Sequence, residues 1–459
     1  MSKFVRASKY RHAYGSNTKK DQCYDSLKIS RNAWDTNLVK ANPLFISVNL
    51  EAGGGGAFAV IPHATVGKLD NIPVFNGHSA AVLDTDFNPF NDHIIASAAE
   101  DCKVMVWKIP EGGLTENVST PLITFGQHGR KVGHVLFHPT ADNVLASASA
   151  DFTIKLWDIS KGAEKIELTG HGEIIQSITW NYDGSLLATA CKDKKIRVYD
   201  VRTNKVVQET NGHQGVKGSR VVWMGNSGKL TSTGFSRSSD RQVFVWDTAN
   251  LAEPIKQENI DTASGMLMPY FDGDTNILFL AGKGDGNIRY YEWADDEKGL
   301  YYLSEYKSAD PQRGLGFLPK RALNVAECEV ARAYKVHTTM VEPIPFKVPR
   351  KSDQFQADLF PETPGAEPSL TADEFFAGKT APPKLISLEH GFQPIAIKEF
   401  VTSAPAPAPE QGIRTPQNER EYHEAYNHLR RENEELKNSL ASKEARIRQL
   451  EAQLSGLKV

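Results

Sequence analysis

No run of about 18 apolar residues, the length of a membrane-crossing helix, occurs in the sequence. The opening MSKFVRASKYRH likewise lacks the apolar core of a secretory leader, so a cytosolic protein without a membrane span is expected. Cysteine is scarce. Cys23, Cys102, Cys191 and Cys328 are far apart and show neither the paired spacing of a zinc site nor the density of a disulfide-stapled secreted module. They read as reduced thiols. No sign of charge prevails either: the formal net charge is −3 over 459 residues, which gives no footing for a nucleic-acid partner.

Charge is nevertheless segregated along the chain. Residues 1–40 hold nine basic against three acidic residues, residues 301–350 hold eight against five, and the stretch between has a net charge of −8. With 40% hydrophobic and 24% charged residues the chain has the composition of a globular protein with a sizeable core.

An internal repeat organises that core. ASAAEDCKVMVWK, ASASADFTIKLWD, ATACKDKKIRVYD, GFSRSSDRQVFVWD and LAGKGDGNIRYYE each set an Asp in a polar turn and an aromatic residue six positions on. The pairs are Asp101/Trp107, Asp151/Trp157, Asp193/Tyr199, Asp240/Trp246 and Asp285/Tyr291. A hydroxyl side chain lies four residues before the first three (Ser97, Ser147, Thr189), and His78, His128, His171 and His213 precede four of the units. A histidine early and a Trp-Asp late in repeats of 40–50 residues is the WD-repeat pattern, one four-stranded propeller blade per unit. The runs KVMVWK, TIKLWD and KIRVYD alternate as strands do. Histidine, Asp, Ser/Thr and Trp can hydrogen-bond in series and lock an inter-blade loop onto the third strand. Their recurrence from unit to unit marks them as scaffold and not as a nucleophilic triad.

Two further blades complete a count of seven. LFISVNL and GGAFAVIPH read as strands of a degenerate blade around Gly53–Gly56, and ARAYKVHTTMVEPIPFKV as the hairpin of another. Ring closure by an N-terminal strand removes the exposed sheet edge, with FVRASKY as the candidate. Closure would bring the two basic segments together at the seam and give the ring a directional basic face.

The propeller is expected to span 1–350. Residues 351–400 carry scattered Phe, Leu and Ile and should pack along one face, and 401–418 form a Pro/Ala-rich extended spacer. Residues 419–459 fit a coiled coil, with a positions at Tyr426, Asn433, Leu440, Ile447 and Leu454 and d positions at Tyr422, Leu429, Leu436, Lys443, Leu450 and Leu457. Arg446 and Glu451 have the spacing of an interchain g–e′ pair in a parallel coil. Residue types leave dimer and trimer open.

VRASKYRHAYG, KKDQCYDSLKISRNAWD, EAGGGGAFAV, STGFSRSSDRQ, PQRGLGFLPKR, CEVARAYKVH and VPRKSDQFQADLFPET lie outside the generic repeat frame, and in them the chain resembles the coronins. That resemblance implies a cytoskeletal protein of cortical actin structures that binds and crosslinks actin filaments. It further implies contact of the coil region with the actin-related-protein branching complex. RIRQLE, with Arg446, Ile447, Leu450 and Glu451, matches the family's trimerisation pattern, which favours a parallel trimer. Arg31 matches a family position implicated in filament binding, and Lys20, Arg313, Lys320 and Arg321 are added to that face by charge and seam position. Some fungal members have a long basic region before the coil. Here the spacer has 18 residues with one Arg and one Glu, so microtubule crosslinking is not implied.

Other motifs carry no chemistry. Gly53–Gly56 lacks the Lys-Ser/Thr of a phosphate loop. Asp272, Asp274 and Asn276 begin like a calcium loop, but Ile277 replaces the required Gly and Lys283 the closing Glu. No catalytic residue, cofactor or metal is expected. The alternative reading is an oligomeric WD-repeat adaptor that scaffolds trafficking or signalling proteins without touching actin.

Overall fold

The computed structural model describes residues 6–352 and 354–403, together with Tyr426, Arg430, Asn433, Glu434 and Lys437, which are helical. The chain divides into two units, Met1–Pro407 and Ala408–Val459. Of the second unit only those five positions are described. The expected oligomerisation residues Leu429, Leu436, Leu440, Arg446, Ile447, Leu450, Glu451 and Leu454 lie outside the described residues, as does the spacer from 404 to 418.

Seven sheets form the first unit's ring. Blade 1 begins at Val39–Ala41, blade 2 at Val82–Phe87, blade 3 at Val132–Phe137, blade 4 at Ile175–Trp180, blade 5 at Arg220–Trp223, blade 6 at Leu267–Asp272 and blade 7 at Gly314–Phe317. Blades 1–6 are four-stranded antiparallel sheets in chain order, and their first strands touch one another in a closed cycle completed between blades 7 and 1. The seven-bladed propeller is thus the observed architecture. The two degenerate blades fall where the sequence puts them, at Phe45–Leu50 with Gly56–Pro62, and at Glu329–Val336 with Val341–Lys347.

Side-chain size explains the layering. The second strands IIASAA and VLASAS are buried at every position, because neighbouring blades cover both faces of a sheet and only small or apolar residues fit there. The outermost strand of blade 4, Lys205–Asn211, is mostly exposed and correspondingly polar.

Closure differs in detail from expectation. The third strand of blade 7, Val341–Lys347, is completed by Tyr14–Gly15 and by Tyr24, both antiparallel to it. Of FVRASKY, residues 6–10 form no strand; they turn beneath the ring, with Tyr10 buried and its hydroxyl donating to the Leu359 carbonyl oxygen at 3.2 Å. Burying Tyr10 with Leu359 and Phe360 at one end uses these residues as packing, which leaves the edge to the later segment.

Adjacent strands alternate in direction, so the ring has two distinct ends. The upper end holds the loops that precede each first strand and those that join second to third strands. The lower end holds the loops joining first to second strands. Residues 354–403 run along the lower end. Leu370 and Phe375 pack with Trp180, and Ala372–Phe376, the one α-helix among residues 6–352 and 354–403, is closed by a Thr371/Glu374 capping box. Ser403 N–H donates to the Ser160 carbonyl oxygen at 2.9 Å.

Candidate functional site

The recurrent polar residues come first, because they decide which charges remain for a partner. In blade 2, His78 Nδ1 lies 2.9 Å from Asp101 Oδ2, His78 Nε2 lies 2.7 Å from Ser97 Oγ, and Trp107 Nε1 donates to the same Oγ at 2.8 Å. A carboxylate only accepts, so Nδ1 bears the proton and Nε2 accepts from the serine. Blade 3 repeats the set with His128, Asp151, Ser147 and Trp157 at 2.9, 2.8 and 2.8 Å. The Asp serves its turn as well: Oδ1 of Asp101, Asp151 and Asp193 accepts the amide two residues on, at 3.1, 3.0 and 3.0 Å. The intervening Cys102, Phe152 and Lys194 are thereby held at φ 67°, 72° and 68°. Burial opposes ionisation of Asp101, but the interaction with His78 and the hydrogen bonds from the Lys103 and Ser79 amides together outweigh it and hold the carboxyl below its ordinary value.

Two blades depart from the scheme. In blade 4 His171 still meets Thr189 at 3.0 Å, and the Tyr199 hydroxyl lies 3.3 Å from its Nδ1, but Asp193 pairs with Arg197 at 2.7 Å. In blade 5 His213 meets Ser232 at 2.9 Å and Trp246 donates to that serine at 2.8 Å, while Asp240 accepts instead from Ser236 and Ser238. Eight residues separate Ser232 from Asp240 where four separate Ser97 from Asp101. The longer turn holds its Asp away from the histidine, and His213 Nδ1 has no hydrogen-bond partner among the described residues.

At the upper end this arrangement has an electrostatic consequence. Asp101, Asp151 and Asp193 turn inward, with side-chain exposures of 4%, 17% and 16%. Arg130, Lys192, Lys194 and Arg237, from the same set of loops, are exposed. These four cations carry exposed positive charge at this end beyond the seam, onto the loops of blades 3, 4 and 5.

Arg31 belongs to this end. It begins a segment, 30–37, that crosses the mouth of the central channel before entering blade 1. Ser30 is held at its carbonyl oxygen by Arg313 at 2.8 Å. Arg31 N–H donates to Glu51 at 2.9 Å, and Trp34 N–H to Asn32 Oδ1 at 2.8 Å. The Trp34 indole donates to the Gly133 carbonyl oxygen at 3.2 Å, with Lys131 Nζ 4.7 Å from its ring centroid. The Asp35 carboxylate pairs with Lys283 at 3.0 Å, and its carbonyl oxygen accepts from Arg220. Blades 7, 3, 6 and 5 thus each hold this segment. Arg31 is exposed, and its guanidinium has no hydrogen bond or ion pair among the described residues.

The five expected face residues do not come together. Arg313 touches the Arg31 segment, and the basic segments do meet at the seam. Lys20 is exposed at the outer edge of blade 7, 3.3 Å from Asp25. Lys320 and Arg321, however, lie in the lower-end loop of blade 7, with side-chain exposures of 9% and 7%. Lys320 pairs with Asp272, and Arg321 Nη2 meets Asp92 Oδ1 at 2.6 Å. Buried carboxylates have drawn both cations inward, so they are removed from the exposed face. Trp34, Lys131, Arg220 and Lys283 were not singled out from the sequence. Their only signal was Gly133, a glycine inside the strand VGHVLF.

Among the described residues no group of three or more His, Cys, Asp or Glu could hold a metal ion, and no helix is long and apolar enough to cross a membrane.

Comparison with known proteins bears on this arrangement. Family profiles match residues 3–68 (Domain of unknown function, DUF1899), residues 70–108, 119–158 and 162–200 (WD domain, G-beta repeat) and residues 341–383 (Type of WD40 repeat). The chain is 50% identical over 450 residues to Coronin-A of Dictyostelium discoideum, covering 98% of this chain and 100% of that protein. It is 48% identical to the coronin-like protein crn1 of Schizosaccharomyces pombe, over 88% of this chain and 68% of that one. With the coronin-like protein of Saccharomyces cerevisiae it shares 46% identity, over 84% of this chain and 61% of that one. Among solved structures, the WD40 domain of Toxoplasma gondii coronin superposes with a TM-score of 0.79 at 32% identity, covering 82% of this chain and 97% of that one.

Proposed function

The chain belongs to the coronin family, and from that premise we propose that it binds actin filaments through the upper end of its propeller, with Arg31 as the central contact. The observation that carries this reading is the Arg31 guanidinium, exposed and uncompensated on a segment that four blades hold in place. Because the blades already hold the backbone of this segment, binding an acidic surface does not have to order it, and only the Arg31 side chain loses freedom. The surrounding exposed cations, Arg130, Lys192, Lys194 and Arg237, extend the contact and steer association.

The C-terminal residues supply valency. Parallel association through Leu429, Leu436, Leu440, Ile447, Leu450 and Leu454, with Arg446 and Glu451 paired between chains, would link three heads and convert weak binding into crosslinking. Contact of this coil with the actin-related-protein branching complex and a place in the cortical cytoskeleton of the cytoplasm complete the proposal.

Cosedimentation with filaments tests the face. Arg31→Asp should weaken binding at least tenfold, and wild-type binding should fall as salt rises. Equal binding by the variant, or indifference to salt, overturns it. Mass measurement of the full chain and of a chain ending at Val401 tests the valency: a trimer should become a monomer.

A further inference from the structure

Beside Arg31 the upper end carries two recesses that share a wall. One, of about 190 Å³, has Arg31 in its lining, and the other, of about 350 Å³, has Leu27, Leu69, Ile72 and Val74; Leu50, Glu51 and Ala52 belong to both. Leu27 and Leu69 are buried, whereas Leu50, Ile72 and Val74 are half-buried and pack on the core shared by blades 7 and 1. The larger recess thus has an apolar lining that a packed core holds in place. Charge frames it. Lys28, in the same lining, is exposed, and its ammonium, like the Arg31 guanidinium, has no hydrogen bond or ion pair among the described residues. Glu51, the one carboxylate in either lining, accepts the Arg31 amide at 2.9 Å.

The turn Gly53–Gly56, between the second and third strands of blade 1, stands at these recesses, with Gly54 and Gly56 in the larger lining and Gly55 in the smaller. Its fold requires three of the four glycines. A Cβ at Gly55 would lie 2.7 Å from the His78 carbonyl oxygen, one at Gly56 would lie 2.0 Å from that of Ala80, and Gly54 has φ 111°. Gly53 differs: a Cβ there would meet nothing within 4 Å, and its φ is outside the left-handed range. No packing or backbone demand among the described residues accounts for a glycine at 53, whereas close approach of another chain's backbone does. We propose that the larger recess is the second half of the filament contact. It takes one large apolar side chain from a filament segment that also presents a carboxylate to Arg31 and Lys28, with the backbone of that segment lying over Gly53. The inference rests on the filament reading of Arg31 and adds an apolar anchor to it. A side chain seated in such a pocket carries much of an interface's energy, while the cations set approach and orientation.

Cosedimentation of the full chain with filaments tests it through Gly53→Gln, Ile72→Ser and Arg31→Asp. Gly53→Gln puts a side chain into open space, so its thermal midpoint should stay within a few degrees of wild type. Its filament affinity should nevertheless fall by about threefold or more. Ile72→Ser should lose affinity by a similar factor, and equally at low and high salt, because the lost contact is apolar. The loss in Arg31→Asp should shrink as salt rises. Wild-type affinity in Gly53→Gln or in a folded Ile72→Ser, or a loss in Ile72→Ser that salt removes, overturns the proposal and leaves the Arg31 contact standing. Wild-type affinity in Arg31→Asp overturns the filament reading and this inference with it. Should Ile72→Ser not fold, Gly53→Gln decides the matter alone.

Discussion

The indole of Trp34 covers the Cα of Gly133: a Cβ at residue 133 would come within 2.2 Å of Trp34 Cζ2. The ring could therefore not keep its place over any residue other than glycine there. Gly133→Ala should displace the 30–37 segment and with it Arg31, while the blades beneath are untouched. The expected result is filament binding weakened about three- to tenfold, on the scale of a lost interfacial contact, with a thermal midpoint within a few degrees of wild type. Trp34→Ala should do the same. Unchanged binding in both would show that the segment's position does not matter.

Lys320 and Arg321 should behave quite differently from Arg31. Removing one partner of a buried pair strands a charge, which costs about 3–5 kcal/mol; Asp272 and Asp92 are the carboxylates that would be stranded. Lys320→Ala and Arg321→Ala should therefore lower the urea midpoint markedly, whereas Arg31→Asp should leave it within about 0.5 kcal/mol of wild type, as for a surface substitution away from any buried partner. A denaturation series on the three variants checks this. Near-wild-type stability of both buried-pair variants would contradict the burial of those ion pairs.

The sequence revealed the repeat because one hydrogen-bonded set had to recur at a fixed spacing. His78, Asp101 and Trp107 were legible for that reason, and so was the number of blades. The placement of charge was less legible, since a lysine at the seam looks the same whether it faces water or a carboxylate. Lys320 and Lys20 are both cations of basic segments, and only the loop's position at one end of the ring sends the first to Asp272. The closing strand shifted from FVRASKY to Tyr14–Gly15 and Tyr24 for a similar reason: short edge pairings carry little pattern of their own.

Equivalent positions in different blades should not have equal weight. Ser147→Ala removes the atom that accepts from Trp157 and meets His128, leaving two buried ring nitrogens unpaired. The cost should be about 2–4 kcal/mol, one to two kcal/mol for each stranded group. Asp240→Ala in blade 5 loses only the hydrogen bonds from the local serines, because His213 is not its partner; about 1 kcal/mol or less is expected. Urea unfolding of the pair checks the ranking, and equal losses would mean that Asp240 does reach the blade network.

Acid should weaken the propeller as soon as the pH falls below about 6.5. Burial pushes His63, His138, His171 and His213 down to about 4 and His134 to about 3. The folded state therefore holds these rings neutral at a pH where the unfolded chain, with its histidines near 6.5, takes up protons. Their stabilising contribution is full above about 6.5 and is lost progressively as pH falls from there toward 4. Asp84 and Asp274, both raised to about 6 chiefly by burial, act in the opposite sense: their folded carboxyls bind protons before the unfolded ones do, between about 6 and 3.8. Five imidazoles outweigh these carboxyls and the lesser upward push on Asp92 and Asp142, so the urea midpoint should be lower at pH 5 than at pH 7, by a stability difference on the order of 3 kcal/mol. Replacing His138, which is fully buried and packs against Phe375 with ring centroids 4.3 Å apart, by Gln should shrink that difference while lowering stability at both values. An equal or higher midpoint at pH 5 in the wild type would mean that these rings are already charged in the folded protein.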